Sequence, residues 1–302
     1  MTNQALHTPV LLTEAIQYLN IQPDAWYVDA TFGRGGHTQA ILTKQGKVIA
    51  LDVDQEAIAY GQEKFADQIA DGSLILIKSN FANLQPVITK LQAQHPEITQ
   101  INGILFDFGT SLDQIRAPQR GFSFDLPDSP LDMRMDQELG VTASDLLTFL
   151  SVKQLTNLFK NVGGELRARK IATAIDRYRG QDRAKRIETV GQLIQVGFSD
   201  VSRTSHLHPA TKVFQALRIA VNDELNSIEQ ALPQAYQLLT NTGRLVTIAF
   251  HQGEDSLVKQ QFKYWVNNNQ GELLTLKPVT PTQEEIINNP AARSAKLRAF
   301  KK

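Results

Sequence analysis

The chain contains no cysteine among its 302 residues, and that absence removes several chemistries at once. Disulfides, thiolate zinc sites, iron–sulfur clusters and a cysteine nucleophile are all excluded. Histidine is sparse at six, and no two have the i, i+4 spacing of a helical metal pair. His206 and His208, two apart in a loop, are weak evidence for a metal, so a metal-free mechanism is expected. No apolar stretch approaches the ~18 residues needed to cross a bilayer. The polar start from Met1 to Leu6 has no apolar segment of a secretion signal. The expectation is a cytoplasmic protein without a membrane partner.

Net charge is missing too, since Lys+Arg and Asp+Glu both total 31. The balance is local, however. Between Glu165 and Arg186 stand Arg167, Arg169, Lys170, Arg177, Arg179, Arg183, Lys185 and Arg186 against three acids, and the last ten residues carry five cations and no acid. Such segregation makes a positive face, the footprint of a polyanionic partner. From charge alone a solvated helix face explains it equally well.

With 42% hydrophobic and 21% charged residues, the composition is that of an ordinary globular protein. The length suits a core domain plus an insertion. Apolar runs at 26–31, 47–52, 74–78 and 101–107 alternate with helix-length segments at 38–45, 55–65 and 81–93. That is the βαβ rhythm of a doubly wound parallel sheet. A further helix, Pro9 to Leu19, is expected ahead of the first strand. After Asp107 the rhythm stops. Residues 110–137 read as loop, and Thr142 to about Gln230 as helices with apolar positions three and four apart. A strand pattern resumes at Arg244–Phe250, followed by a helix from Glu254 to Val266 and two closing strands, 272–279 and 295–300. The fold class is therefore α/β, with a helical insertion between the fourth and fifth strands. The expected boundaries are 1–110 with 235–302 for the sheet domain, and 111–234 for loop plus insertion. An insertion at that point lies over the carboxyl ends of the strands, where open α/β sheets bind ligands.

The first strand runs into Asp29-Ala-Thr-Phe-Gly33-Arg-Gly35-Gly36-His37. A glycine-rich turn between strand and helix lets backbone approach a ligand closely. Asp52 closes the next strand about 20 positions on, where an acid grips ribose hydroxyls in nucleoside-binding sheets. The pattern G-x-G-G-H departs from the dinucleotide fingerprint, which favours an adenosine cofactor without a pyrophosphate. Asp29, Asp52, Asn80-Phe81 and Asp107 all sit at strand ends around one crevice. Helix capping is the alternative for any one of these aspartates.

Several stretches resemble the MraW family: HTPVLL (7–12), DATFGRGGH (29–37), RGFSF (120–124), PLDMRMD (130–136), HPAT (208–211), FQALRIAVNDEL (214–225) and ARSAKLR (292–298). The resemblance runs nearly end to end. It implies a Rossmann-like class I methyltransferase sheet with a helical insertion for substrate recognition. It also implies an S-adenosyl-L-methionine-dependent enzyme that methylates the N4 amine of a cytidine in the decoding region of 16S ribosomal RNA. The partner is then the small ribosomal subunit, with a homodimer left open. Carried over by motif, Gly35, Gly36 and His37 contact the cofactor, Asp52 holds its ribose, Phe81 lines the adenine pocket, and Asp107 and Gln114 complete the reactive end. For Phe81 core packing is a close alternative, and for His37 a helix-start role.

An exocyclic cytosine amine is a weak nucleophile because its lone pair is delocalised into the ring. An acceptor beside it can draw the N–H while the enzyme aligns nitrogen, methyl and sulfur. Asp107 is placed for that role, or for holding the cofactor, with Ser111 supplying a hydroxyl nearby. The missing cysteine eliminates thiolate addition of the kind used to methylate carbon five of pyrimidines.

In PLDMRMD an extended loop would put Asp132, Arg134 and Asp136 on one side and Met133 and Met135 on the other. Arg134 then faces RNA or closes a structural salt-bridge loop. His208 suits a capped helix start or an RNA-facing corner. His251 suits substrate contact or a buried, hydrogen-bonded role. The family usually has Ser-Ser, Phe-His-Ser-Leu-Glu-Asp and Tyr-Gly-Glu-Glu-Arg-Phe where this chain has Ser111-Leu112, Phe250-His251-Gln252-Gly253-Glu254-Asp255 and Val162-Gly163-Gly164-Glu165-Leu166-Arg167. These departures keep open a cofactor-binding RNA-docking protein with weak or no catalysis. An amino-methyltransferase for another nucleic acid is the remaining enzyme alternative. The Pro-Pro-aromatic motif common in those enzymes is absent after Asp107.

Overall fold

The computed structural model describes residues 9–180, 184–199 and 208–302; His7, Thr8, Arg183 and His206 lie outside the described residues. In chain order, α1 (Leu12–Leu19) precedes β1 (Trp26–Asp29), and α2 (Gly36–Thr43) leads to β2 (Lys47–Asp52). Helices α3 (Gln55–Lys64) and α4 (Ala66–Ala70) lead to β3 (Leu74–Lys78). A 3₁₀ turn at Phe81–Asn83 and α5 (Leu84–Gln94) lead to β4 (Ile101–Asp107). Then come α6 (Leu112–Arg116), α7 (Ala143–Phe149), α8 (Val152–Asn157), α9 (Ala168–Arg179), α10 (Val190–Phe198) and α11 (Thr211–Val221). Finally α12 (Glu224–Leu238), β5 (Leu239–Ala249), α13 (Gln252–Asn267), β6 (Glu272–Leu273), α14 (Gln283–Asn288) and β7 (Lys296–Lys301) close the chain.

Among the described residues seven strands form one sheet in the order β3-β2-β1-β4-β5-β7-β6. Strands β1 to β5 pair in parallel, and β7 runs antiparallel to both β5 and β6. The parallel runs are apolar because both faces of the sheet are covered. Alternate residues feed opposite cores, as the pleat requires. Ile49, Leu51, Ile104 and Phe106 join one, packed by α5, α12 and α13 through Ile88, Ala231 and Phe262. Val48, Ala50, Leu105 and Val246 join the other, beside Ile16 of α1 and Ile41 of α2. Each such buried aliphatic side chain contributes about 1.5–3 kcal/mol. The strand order turns back between β1 and β4, so a ligand crevice is expected at the carboxyl ends of those two strands.

The chain divides into two units, one of residues up to Gly109 together with Leu225–Lys302, the other Thr110–Glu224. The second boundary falls ten residues earlier than the pattern suggested, because α12 buries Ile228, Ala231, Leu232 and Ala235 in the sheet core. Strand β5 likewise begins at Leu239, ahead of the expected Arg244. The loop expected over 110–137 contains α6.

The helical unit has its own core, built from Leu147, Phe159, Ile171, Ile175, Leu193, Phe214 and Leu217 among others. Arg179, counted above in a basic surface, is only 1% exposed. Its guanidinium donates to the carbonyls of Leu147 (2.7 Å), Thr148 (3.0 Å) and Leu150 (2.8 Å), closing the C-terminus of α7. A cation there satisfies orphan carbonyls and complements the helix dipole. Arg179→Met keeps the volume but leaves those acceptors buried without a donor. It is expected to cost about 3 kcal/mol, seen in a thermal melt as a Tm drop of roughly 5–10 °C. An unchanged melt would show that the cap is not needed.

Candidate active site

Backbone and side-chain hydrogen bonds stitch the tips of β1, β2 and β4 together. Ala30 N–H donates to Leu105 O (2.9 Å) and Phe32 N–H to Leu51 O (2.8 Å). Thr31 Oγ1 accepts from Asp107 N–H at 2.7 Å. Asp29, 1% exposed, accepts from Thr38 Oγ1 (2.7 Å) and Thr31 N–H (3.2 Å). Asp52 accepts from Gly33 N–H (2.7 Å) with one oxygen and from Asp54 N–H (2.9 Å) with the other. The glycine turn is thus tied to the acid closing β2.

Gly35 is the N-cap of α2 with φ 69. A Cβ on it would lie 2.6 Å from ring carbons of Phe32 and Phe65, so only glycine fits there. At Gly33, φ 53, nothing lies within 4 Å of where a Cβ would be. Backbone is therefore bare toward open space at this point. A Cβ on Gly36 would instead strike Pro9 at 2.1 Å. Gly35 and Gly36 shape the turn by close packing, while Gly33, not among the expected contacts, offers the open approach.

Burial pushes the Asp29 and Asp52 carboxyls up to about 6. Asp107 is raised well above the ordinary carboxylate range, first by burial, then by the charges of Asp29 and Glu254. Asp29 also acts on Asp52, so the three strand-end carboxyls share one electrostatic neighbourhood. Such a cluster favours a cation and opposes a pyrophosphate. Asp107 Oδ1 is buried with no hydrogen-bond partner among the described residues. The other oxygen lies 3.8 Å from Nδ1 of His37, a buried residue in the first turn of α2. Phe81 packs edge-on against Phe106 (5.7 Å) and Phe108 (5.9 Å), and remains half-buried. It therefore serves the core and keeps surface available to a planar base.

His251 is the N-cap of α13: its Nδ1 accepts from the N–H groups of Gly253 (3.1 Å) and Glu254 (3.4 Å). Glu254 returns the bond, accepting from His251 N–H at 3.2 Å, and also accepts from Phe250 N–H at 2.7 Å. The departures at Gln252-Gly253 leave this helix start intact.

In the helical unit, Ser111 and Gln114 form a capping box at α6, with Ser111 Oγ accepting from Gln114 N–H (3.2 Å) and Gln114 Oε1 from Ser111 N–H (3.1 Å). The PLDMRMD segment is not extended. Met133 has φ 63 and is fully buried. The simple alternation therefore fails, and Asn222 holds the turn by accepting from Met135 N–H (2.7 Å) and donating to Met133 O (2.8 Å). Arg134 pairs with Asp132 at 2.8 Å and donates to the carbonyls of Gln137 and Leu139. His208 stacks on Phe124 (4.5 Å, 12°) and accepts from Ala210 N–H ahead of α11. The structure thus brings together Gly35, Gly36, His37, Asp52, Phe81 and Asp107, while Arg134, His208 and His251 each have a local structural task. Thr31, Thr38 and Glu254 were missed. Thr31 bonds across two strands, Thr38 reaches back from α2 to Asp29, and Glu254 acts on Asp107 by charge, none of which leaves a spacing signal.

A largely parallel sheet with a reversed β7 and clustered carboxyls at the strand ends beside its switch point defines a Rossmann-like methyltransferase. The chain belongs to the MraW methylase family, whose model matches residues 4–302. It is 41% identical over 304 residues to the ribosomal RNA small subunit methyltransferase H of Coprothermobacter proteolyticus, covering 100% of this chain and 98% of that protein. Among solved structures, an rRNA methylase from Streptococcus thermophilus is 12% identical with a TM-score of 0.43, covering 100% of this chain and 98% of that one. A SAM-dependent O-methyltransferase from Thermotoga maritima is 8% identical with a TM-score of 0.42, over 99% of this chain and 68% of that one.

The cofactor is S-adenosylmethionine. The residues fit it: the bare backbone at Gly33, the clustered carboxyls and the Asp107 oxygen with no partner among the described residues suit a donor that carries positive charge and lacks phosphate.

Proposed function

We propose that this protein transfers a methyl group from S-adenosylmethionine to the N4 amine of a cytidine in the decoding region of 16S ribosomal RNA, acting in the cytoplasm on the small ribosomal subunit. The full-length match to a small-subunit ribosomal RNA methyltransferase carries the reading. When bound, the cofactor supplies an electrophilic methyl on a sulfonium. Asp52 holds the ribose with charge-assisted hydrogen bonds. Phe81 presents a flat apolar surface to the base, and Gly35, Gly36 and His37 shape the turn around it. Asp107 accepts an N–H of the target amine through its carboxyl group, fixing the nitrogen's orientation. Gln114 and Ser111 hold the first helix after β4 in place. Arg134, His208 and His251 act as positioning residues for segments that meet RNA.

Purified protein is expected to move labelled methyl onto small subunits that lack the modification, and digestion should yield N4-methylated cytidine. A different methylated nucleoside would refute the substrate. Cofactor binding without turnover on any assembly intermediate would favour the RNA-docking alternative.

A further inference from the structure

The helical unit carries an open cavity of about 710 Å³ along α9 and the end of α10. Arg167, Arg169, Lys170, Thr173, Arg177 and Tyr178 line it, and no carboxylate does among the described residues. The origin of this wall is in the sequence of α9. Ala168, Ile171, Ala172 and Ile175 face the core. That periodicity leaves Arg169, Thr173 and Arg177 in an exposed i, i+4, i+8 row. At 1.5 Å per residue the row spans about 12 Å.

The other cations of the basic stretch are differently occupied. Arg179 caps α7, Arg186 pairs with Asp145 at 2.6 Å, and Arg167 pairs with Glu165 at 3.3 Å. Neither Arg169 nor Arg177 has an ion-pair or hydrogen-bond partner among the described residues. An arginine row that pairs with no carboxylate among the described residues keeps its potential for an outside anion. A single phosphate or mononucleotide is gripped by donors that converge on one point. A line of cations along a helix instead matches an anion that repeats.

We propose that this groove on α9 is a docking track for the sugar–phosphate backbone of the RNA substrate. Its guanidinium groups contact phosphates spaced along the strand and set its register without reading its bases. The proposal deepens the function given above and rests on it for the identity of the RNA.

The test uses the full chain and a fluorescein-labelled RNA covering the 16S decoding region, with affinity followed by anisotropy from about 50 to 200 mM salt. The double variant Arg169→Gln/Arg177→Gln is expected to bind roughly tenfold more weakly at the low-salt end. The slope of log affinity against log salt should become shallower by about 1.4, two contacts at ~0.7 each for a single strand. Cofactor affinity by calorimetry should stay at the wild-type value, which also reports folding. Lys259→Gln/Lys263→Gln on exposed positions of α13 serves as the charge-matched control and should leave both affinity and slope unchanged. Equal losses in the two double variants, or none in the first, would overturn the track. So would a loss confined to vesicles of anionic phospholipid with RNA binding intact. If the RNA data come out as expected but the wild-type protein methylates no nucleoside, the enzymatic reading fails and the track survives. If methylation is normal and the first double variant binds like wild type, the track alone fails.

Discussion

Asp107→Asn is expected to slow single-turnover methyl transfer by roughly 10²–10⁴-fold, the range associated with losing a positioned proton acceptor, while cofactor affinity changes by less than about tenfold. The substitution keeps shape and removes charge. It matters because Asp107 closes β4 at the point where the strand order turns back, held there by the bond from its N–H to Thr31. One carboxyl oxygen has no hydrogen-bond partner among the described residues, and the side chain as a whole stays 23% exposed, so the carboxyl keeps acceptor capacity for an incoming amine. The pH profile supplies a second readout. Burial, Asp29 and Glu254 raise the Asp107 carboxyl well above its ordinary range. The ionised form is the stronger acceptor and the one able to take a proton, so kcat/KM should be low in acid and rise as pH passes through that elevated value. Asp107→Asn should lack this limb altogether. Asp29→Asn removes one of the raising charges and should move the limb to lower pH. Wild-type turnover by Asp107→Asn would assign the amine contact to another group.

Much of the sheet domain is legible in the sequence. The runs 47–52, 74–78 and 101–107 coincide with β2, β3 and β4, because strands covered on both faces are continuously apolar and end where a polar residue turns the chain. The same logic finds Asp52 and Asp107, since an acid closing an apolar run has few other uses. Bonds formed across the sheet are hidden from it. Nothing in the spacing of Thr31 or Thr38 announces that they hold the tips of β1 and β4, nor in that of Glu254 that its charge acts on Asp107. The left-handed Met133 is hidden for a different reason, as its conformation is imposed by Asn222, 89 positions away. Capping boxes were readable: Ser111 with Gln114 and Thr189 with Gln192 keep the S/T-x-x-Q spacing that marks a helix start. That signal would have given Ser111 a structural task before any catalytic one. Charge counts mislead in one respect only, by weighing a buried cap such as Arg179 equally with exposed Arg169 and Arg177.

Asp52→Ala is expected to weaken S-adenosylmethionine binding by about 3 kcal/mol, roughly a hundredfold in Kd, read by calorimetry. Two effects combine. The carboxylate no longer accepts ribose hydroxyls, and the N–H groups of Gly33 and Asp54 lose their acceptor, which loosens the turn that approaches the ligand. Asp52→Asn separates them, because an amide oxygen still accepts one backbone bond but carries no charge. It should fall between wild type and alanine. The pH dependence has a definite sign. In the empty protein burial raises Asp52 to about 6, above its unfolded value. Its favourable contribution to folding is therefore present below about pH 4 and lost as pH rises through about 6. Ligand binding runs the other way, since the ionised form makes the stronger bonds to ribose. Affinity should hold steady above about pH 7 and fall toward tenfold per unit below 6. The gain in Tm on adding cofactor should accordingly be larger at pH 7.5 than at pH 5. Affinity independent of pH across that range, in a protein whose Asp52→Ala variant also binds normally, would remove Asp52 from the ribose and with it the acidic crevice as the cofactor site.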